Sequence, residues 1–297
     1  MIDAEYVTRA LGGRWSAHSG SACCPAHEDR TPSLSIANGH TGQLLLTCHA
    51  GCSFEAVLTA LKERGVYAGE FAPHVDTKRL WQRCQAARLH NQRRSEFARS
   101  SWDYAIPVQG TLAERYLRAR GITCVLPKSL RYLATCWHPK AKRVPALIGQ
   151  VTHSQRSRNR GFAVHRTYLD IQGQGKAALT PSKAMLGATK GGAVRLSLPA
   201  KRLVVTEGIE TGLSLLSGLI DGPIEVWAAL SAGGMQSLNL PRQQGVLLIA
   251  PDGDDVGRAA AEALATRAHG FGWQVSILAA PQGSDWNDVL LGKAQVV

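Results

Sequence analysis

The sequence has no apolar run near the ~18 residues that a membrane-spanning helix needs. Its first residues, MIDAEYVTRALGG, lack the basic-then-apolar layout of a secretory leader. Both absences point to a cytoplasmic protein with no membrane partner, in which thiols stay reduced. The pattern G-x-x-x-x-G-K-[ST] is missing, so no P-loop motor is encoded here. There is no internal repeat. Acidic residues are scarce in one segment only. Residues 78–200 carry 23 Lys+Arg against 4 Asp+Glu, net +19, whereas residues 1–77 are net −3 and residues 201–297 net −4. Solubility does not require such segregation, and a polyanion-binding surface does.

A chain of 297 residues can hold two or three small domains. Four parts are expected. Residues 1–70 hold a short helix, a Cys/His-rich region and a second helix ending at Gly65. Residues 71–100 form a basic helical linker with an apolar stripe at Leu80, Cys84 and Ala87. Residues 101–200 form a mixed basic subdomain with strands at 146–151 and 163–169. From about 201 strands alternate with helices: strands at 203–206, 225–229, 246–250 and 274–278, a helix running to about Leu219, and an Ala-rich helix from Val256 to His269. That alternation reads as parallel βαβ units, whose active groups lie beyond the carboxyl ends of the strands. The fold class is α/β.

Seven cysteines, an odd number with four near the N-terminus, argue for a metal site rather than a disulfide framework. The clusters are Cys23-Cys24-Pro-Ala-His27 and Cys48-His-Ala-Gly-Cys52. Two short-spaced pairs joined by a hairpin make a tetrahedral zinc site. The preferred ligands are Cys24, His27, Cys48 and Cys52, with Cys23 and His49 as substitutes. No open position is implied, so the zinc is structural.

The second chemical feature is Ile249-Ala-Pro-Asp252-Gly-Asp254-Asp255, three carboxylates at the tip of an apolar strand in a basic protein. Glu207-Gly208 follows the strand at 203–206. Magnesium or manganese prefers such oxygen ligands, held by one or two carboxylates plus substrate phosphates. Glu207, Asp252 and Asp254 are the candidate catalytic and metal-binding residues. Asp255 is the one best given to capping the following helix.

The segment Cys24-Pro-Ala-His-Glu-Asp-Arg-Thr-Pro-Ser-Leu-Ser-Ile36 resembles the zinc-binding domain of bacterial and phage DNA primases. It departs at Cys48-His-Ala-Gly-Cys52, where replicative primases commonly have two residues between the cysteines. That resemblance makes Arg30 and Ser33 candidate DNA contacts. Residues 200–292 look like a Toprim domain, whose signature is Glu-Gly after the first strand and Asp-x-Asp after a later one. As in primases, Gly257-Arg258 and an Ala-rich helix follow. Asp285 stands where primases carry their last metal-binding acids, with Asp288 near it. Where primases often place an Asp four residues after the Glu, this chain has Thr211; Glu210 could take over. The resemblance implies a phage- or plasmid-type DNA primase: a small zinc-ribbon-like domain, a basic subdomain and a Toprim sheet. It would make RNA primers on single-stranded DNA from ribonucleoside triphosphates, with a separate helicase as possible partner. It also carries nucleotide or nucleic-acid binding to Arg166 and Lys183. Lys176, Lys190 and Arg195 join them on charge alone, and Arg156, Arg158 and Arg160 read as a phosphate-touching loop. A metal-dependent Toprim nuclease and a non-catalytic zinc-containing DNA-binding accessory protein remain the alternatives.

Overall fold

The computed structural model describes residues 3–16, 18–39, 43–67, 77–140, 142–154 and 161–294. Arg156, Arg158 and Arg160, the boundary near residue 70 and the side chain of Leu80 lie outside them. The chain forms two compact units, residues 1–86 and 87–297.

In the first unit, helix α1 (Ala4–Ala10) precedes strands β1 (Arg14–Ser16), β2 (Ser19–Ala22), β3 (Leu34–Asn38) and β4 (Leu44–Cys48), and helix α2 (Phe54–Glu63) follows. The strands make one antiparallel sheet in sequential order. Burial alternates along β3 and β4, so Leu34, Ile36, Leu44 and Leu46 face inward. They pack with Val7, Val57 and Leu61 of the two helices. Asp3 caps α1 through the Tyr6 amide at 2.8 Å, and Ser53 caps α2 through Ala56 at 3.2 Å.

Helix α3 (Thr77–Asp103) is 27 residues long. The expected apolar stripe is not buried: Cys84 and Ala87 are exposed, as is every residue from 81 to 94. Three small or short apolar groups among many cations offer too little area to dock a helix. The helix becomes buried toward its end, at Ala98, Ser101 and Trp102, and Ala98 and Trp102 join a core with Tyr168 and Ile148.

The second unit continues with β5 (Ile106–Pro107), α4 (Leu112–Ala119), β6 (Leu130–His138), β7 (Lys142–Thr152), β8 (Ala163–Tyr168), β9 (Lys183–Gly187) and β10 (Ala193–Arg195). Then come β11 (Arg202–Thr206), α5 (Ile209–Ser214), β12 (Ile224–Ala228), α6 (Ala232–Ser237), β13 (Val246–Ala250), α7 (Asp255–Gly270), β14 (Gln274–Ile277) and α8 (Trp286–Leu290). One ten-stranded sheet runs through the unit in the order β14-β13-β11-β12-β10-β7-β6-β5, with β8 pairing β7 and β9. Strands β14, β13, β11 and β12 are mutually parallel, and β10 joins them antiparallel to the basic half. Of these, β11, β12 and β13 are largely buried on both faces, as their mostly apolar sequences require, whereas the edge strand β14 is largely exposed. Val204 and Val226 point to one core with Leu213 and Trp286. Val205 and Ile249 point to the other, under Ala260, Ala261 and Leu264 of α7.

The helix expected to reach Leu219 is regular only to Ser214. A wide turn follows over Leu215–Leu219, with Gly218 at φ 113°. Helix α5 lies close on the sheet because of Gly212, where a Cβ would meet the Leu196 side chain at 2.5 Å and Thr206 Oγ1 at 2.9 Å. Replacing Gly212 by valine forces α5 off the sheet. The expected loss is about 1–3 kcal/mol of unfolding free energy by urea titration. An unchanged midpoint would show that the contact is not tight.

Candidate metal centres and carboxylate site

In the first unit, β4 and the loop after β2 bring Cys24, His27, Cys48 and Cys52 together. One donor atom from each lies within 4.8 Å of all the others. Cys23 and His49 are not in this set; His49 Nε2 instead faces Ser35 Oγ at 2.8 Å. His27 Nδ1 lies 3.2 Å from Cys52 Sγ and 3.9 Å from Cys48 Sγ. Its other nitrogen faces Asp29 at 3.8 Å. Three thiols and an imidazole at this spacing could hold a metal ion, and the carboxylate behind the imidazole is the usual orienting group. Burial raises the Cys24 thiol to about 11. For Cys48 burial acts the same way, but the Cys52 and Ala50 amides and the Ser33 hydroxyl bring it down to about 6.

Asp29 organises the loop, which the sequence did not single out. Its carboxylate accepts from Ser33 Oγ at 2.5 Å, the Cys24 amide at 2.7 Å and the Thr31 amide at 3.2 Å. The Ser33 hydroxyl and Cys24 amide hold it down at about 2. Ser33, a candidate DNA contact, is thus engaged within the loop, whereas Arg30 is exposed.

In the second unit the register pairs Thr206 with Ala250, so β11 and β13 end level. Glu207 leaves one tip and Pro251-Asp252 the other. Gly253 is needed for close approach: its amide donates to Ser284 O at 2.8 Å and its carbonyl accepts from Gly283, while a Cβ there would collide with the Pro281 carbonyl. Arg258 clamps the same two loops, donating to Gly253 O at 3.1 Å and to Gln282. This brings the Asp285 loop beside Asp252. Burial first, then the charges of Glu207 and Asp285, push Asp252 up to about 7 against the opposing effects of Thr211 and Lys183. Burial also raises Glu207, despite an N–H from Ala232, and Asp254 adds to it. Among the described residues no three carboxylates converge as tightly as the Cys/His set.

The capping role falls differently from the sequence expectation. Asp254, not Asp255, caps α7, with Oδ1 accepting from Gly257 at 2.6 Å. The Gly253 turn places Asp254 one residue before the helix, so Asp255 is already helical and pairs with Arg258 at 3.4 Å. Asp285 caps α8, and Asp288 completes a capping box with it. Thr211 Oγ1 donates to Asp252 Oδ1 at 3.2 Å, so the position four residues after Glu207 serves the site through a hydroxyl.

Glu210 does not point to that cluster. It is 4% exposed and faces Lys183 Nζ at 3.3 Å, Lys176 Nζ at 3.6 Å and the Tyr116 hydroxyl, which donates at 2.8 Å. Burial opposes its ionisation, but Lys183 and Lys176 outweigh burial and hold it well below the usual carboxylate range. Lys183 also lies close enough to Glu207 and Asp252 to favour their charged forms. Lys190 borders a cleft of about 460 Å³ shared with Leu230, Ser231 and Gly234. Leu230 has φ 76° and donates its amide to the Glu207 carbonyl at 2.7 Å, a strained backbone at the edge of the site.

The other two predicted cations are not brought here. Arg166 alternates away from His165 and is buried, donating to the Trp137 carbonyl at 3.0 Å. Arg195 stacks on Trp227 at 4.5 Å, donates to Thr152 Oγ1 at 3.2 Å and faces Glu225 at 3.7 Å.

Comparison with known families follows these lines. Residues 202–295 match the Toprim domain family. Residues 92–196 match a domain of unknown function, DUF7146. No curated protein matches the chain. Similar solved structures include a DNA primase domain from Pseudomonas aeruginosa, at 16% identity over 68% of this chain and 75% of that one, with a TM-score of 0.42. The zinc-binding and RNA polymerase domains of Aquifex aeolicus primase are 15% identical over 99% and 83%, with a TM-score of 0.39. The primase fragment of the bacteriophage T7 primase-helicase protein is 14% identical over 64% and 69%, with a TM-score of 0.35.

The raised Asp252 gives the Toprim domain a pH signature. The folded chain keeps this proton up to about pH 7, whereas the unfolded chain releases it near 3.8. Stability from this group is therefore complete below about pH 4 and lost as pH rises toward 7. Without added magnesium or manganese, Asp252→Asn should stabilise the chain at pH 8 by roughly 2 kcal/mol, discounted for partial solvent access, and change nothing at pH 4. Urea midpoints at the two pH values decide this, and equal destabilisation at both would contradict it.

Proposed function

We propose that this chain is a DNA primase that joins ribonucleoside triphosphates into short primers on a single-stranded DNA template. The observation that carries this reading is the carboxylate group Glu207, Asp252, Asp254 and Asp285 at the Toprim strand tips, with Lys183 beside it. Clustered carboxylate oxygens, with Glu207 and Asp252 raised in proton affinity by burial, are suited to divalent cations, and they sit next to a cation suited to phosphate. Magnesium or manganese bound there would lower the charge on the reacting phosphates. Glu207, partly buried, would accept the proton of the primer's 3′-hydroxyl. The 3′-oxygen–phosphorus bond forms as the bond between the α- and β-phosphates breaks, and pyrophosphate leaves. Lys183 and Lys176, fixed by Glu210, would hold the triphosphate, and Lys190 would reach it from the cleft. Catalysis would be mainly positioning and charge neutralisation. Arg166 and Arg195 would act through the sheet they brace.

Cys24, His27, Cys48 and Cys52 would hold a structural zinc, with Asp29 orienting His27. In keeping with this reading, the protein would work in the cytoplasm of a phage- or plasmid-carrying host, with a helicase on a separate chain.

The chain, given single-stranded DNA, labelled ribonucleotides and Mg²⁺ or Mn²⁺, should yield short oligoribonucleotides. Asp252→Ala with Asp254→Ala should reduce the yield at least about a hundredfold. Metal-dependent cutting of DNA with no primer on any template would replace this reading with a nuclease. Purified protein should carry one zinc per chain by atomic emission. Asp29→Ala should weaken zinc affinity about 10–100-fold in a chelator competition, and zinc-free wild-type protein would refute the ligand set.

A further inference from the structure

A cavity of about 960 Å³ lies between the 124–131 segment, the 195–198 segment and Leu216. It is not part of the carboxylate site. Leu196 donates its amide to Val226 O, and Ser197 Oγ donates to Ile224 O at 2.8 Å, so the 196–198 segment runs beside the start of β12. The carboxylates lie past the opposite ends of the parallel strands. Five residues, four steps of ~3.3 Å, put roughly 13 Å of sheet between the two edges.

The lining is mostly apolar, and two of its side chains stand out into solvent: Val125 is 91% exposed and Leu198 83%. Such paired exposure beside a deep apolar cavity marks an interaction surface rather than scattered surface residues. The charge around it has one sign. Lys128, Arg131 and Arg195 line the cavity and no carboxylate does. Lys128 is exposed and pairs with no acid among the described residues. Arg131 donates to the Trp102 and Ala105 carbonyls and stacks on the Trp102 ring at 4.5 Å, with no carboxylate paired to it among the described residues, whereas Arg195 has Glu225 at 3.7 Å. The cations alone would also suit a nucleic acid, but among the described residues no aromatic side chain lines the cavity to stack a base.

We infer that this groove docks an acidic segment of a partner protein, with leucine-like side chains filling the cavity and carboxylates facing Lys128 and Arg131. The apolar contacts supply affinity and the cations select acidic over basic partners. This inference does not rest on the primase reading.

The test uses the full chain and a fluorescein-labelled peptide of alternating aspartate and leucine, followed by anisotropy. The acidic peptide should bind, and its lysine–leucine counterpart should bind at least about tenfold more weakly. Leu198→Asp and Lys128→Glu, both at exposed side chains, should each weaken the acidic peptide about tenfold, with thermal melts confirming that both variants fold. Equal binding of the two peptides, or binding unchanged by both variants, would overturn the proposal. So would displacement of the peptide by oligothymidylate that Leu198→Asp abolishes, which would make the groove a nucleic-acid site.

Discussion

Like charges are held together at the tips of β11 and β13 because the strand register leaves them no alternative. Thr206 pairs with Ala250, both strands are buried on both faces, and the next residues are Glu207 and Pro251-Asp252. Burial, with the repulsion added to it, raises the proton affinity of Asp252 and Glu207. Much of the surrounding structure serves to hold this arrangement. Gly253 lets the Asp285 loop come close, Arg258 clamps the two loops, and Thr211 gives Asp252 its one hydroxyl donor. The strand tips thus keep like charge at close quarters in a partly buried place.

The positive charge is organised in the opposite way. Lys176 and Lys183 are not left to solvent but are fixed by a buried carboxylate, Glu210, that a phenol also contacts. Removing one partner from such a buried set costs far more than an exposed ion pair contributes. The lysines therefore gain a defined position beside the acids, where a mobile surface lysine would have to lose rotamer entropy on meeting phosphate.

Much of this was legible in the sequence where spacing is short or a strand ends. The Cys/His set reads from two compact pairs, and the carboxylates read from apolar runs that stop at an acid. The parallel strands fall within a residue or two of their expected limits. What could not be read depends on register and distance along the chain. Arg166 misses the site through strand alternation: its neighbour His165, not Arg166, lies buried within the influence of Lys183 and Glu210, and a one-residue shift would reverse this. Glu210 meets Tyr116 across 94 positions, which no local pattern reveals. Asp254 and Asp255 are adjacent, and the Gly253 turn alone decides which one caps α7. The stripe on α3 failed because periodicity over three small residues says nothing about whether a surface exists to cover them.

Two matched families meet between residues 196 and 202, which invites treating the halves as exchangeable cassettes. The Glu210 network argues otherwise. Its four members come from α4, the loop before β9, β9 and α5, so the join passes through the middle of one buried polar cluster. The β10–β12 pairing crosses the same join. A recombinant carrying the N-terminal half of one relative and the C-terminal half of another would bury unmatched charge unless all four residues travelled together. Over evolutionary time such chains should exchange these positions as a linked set.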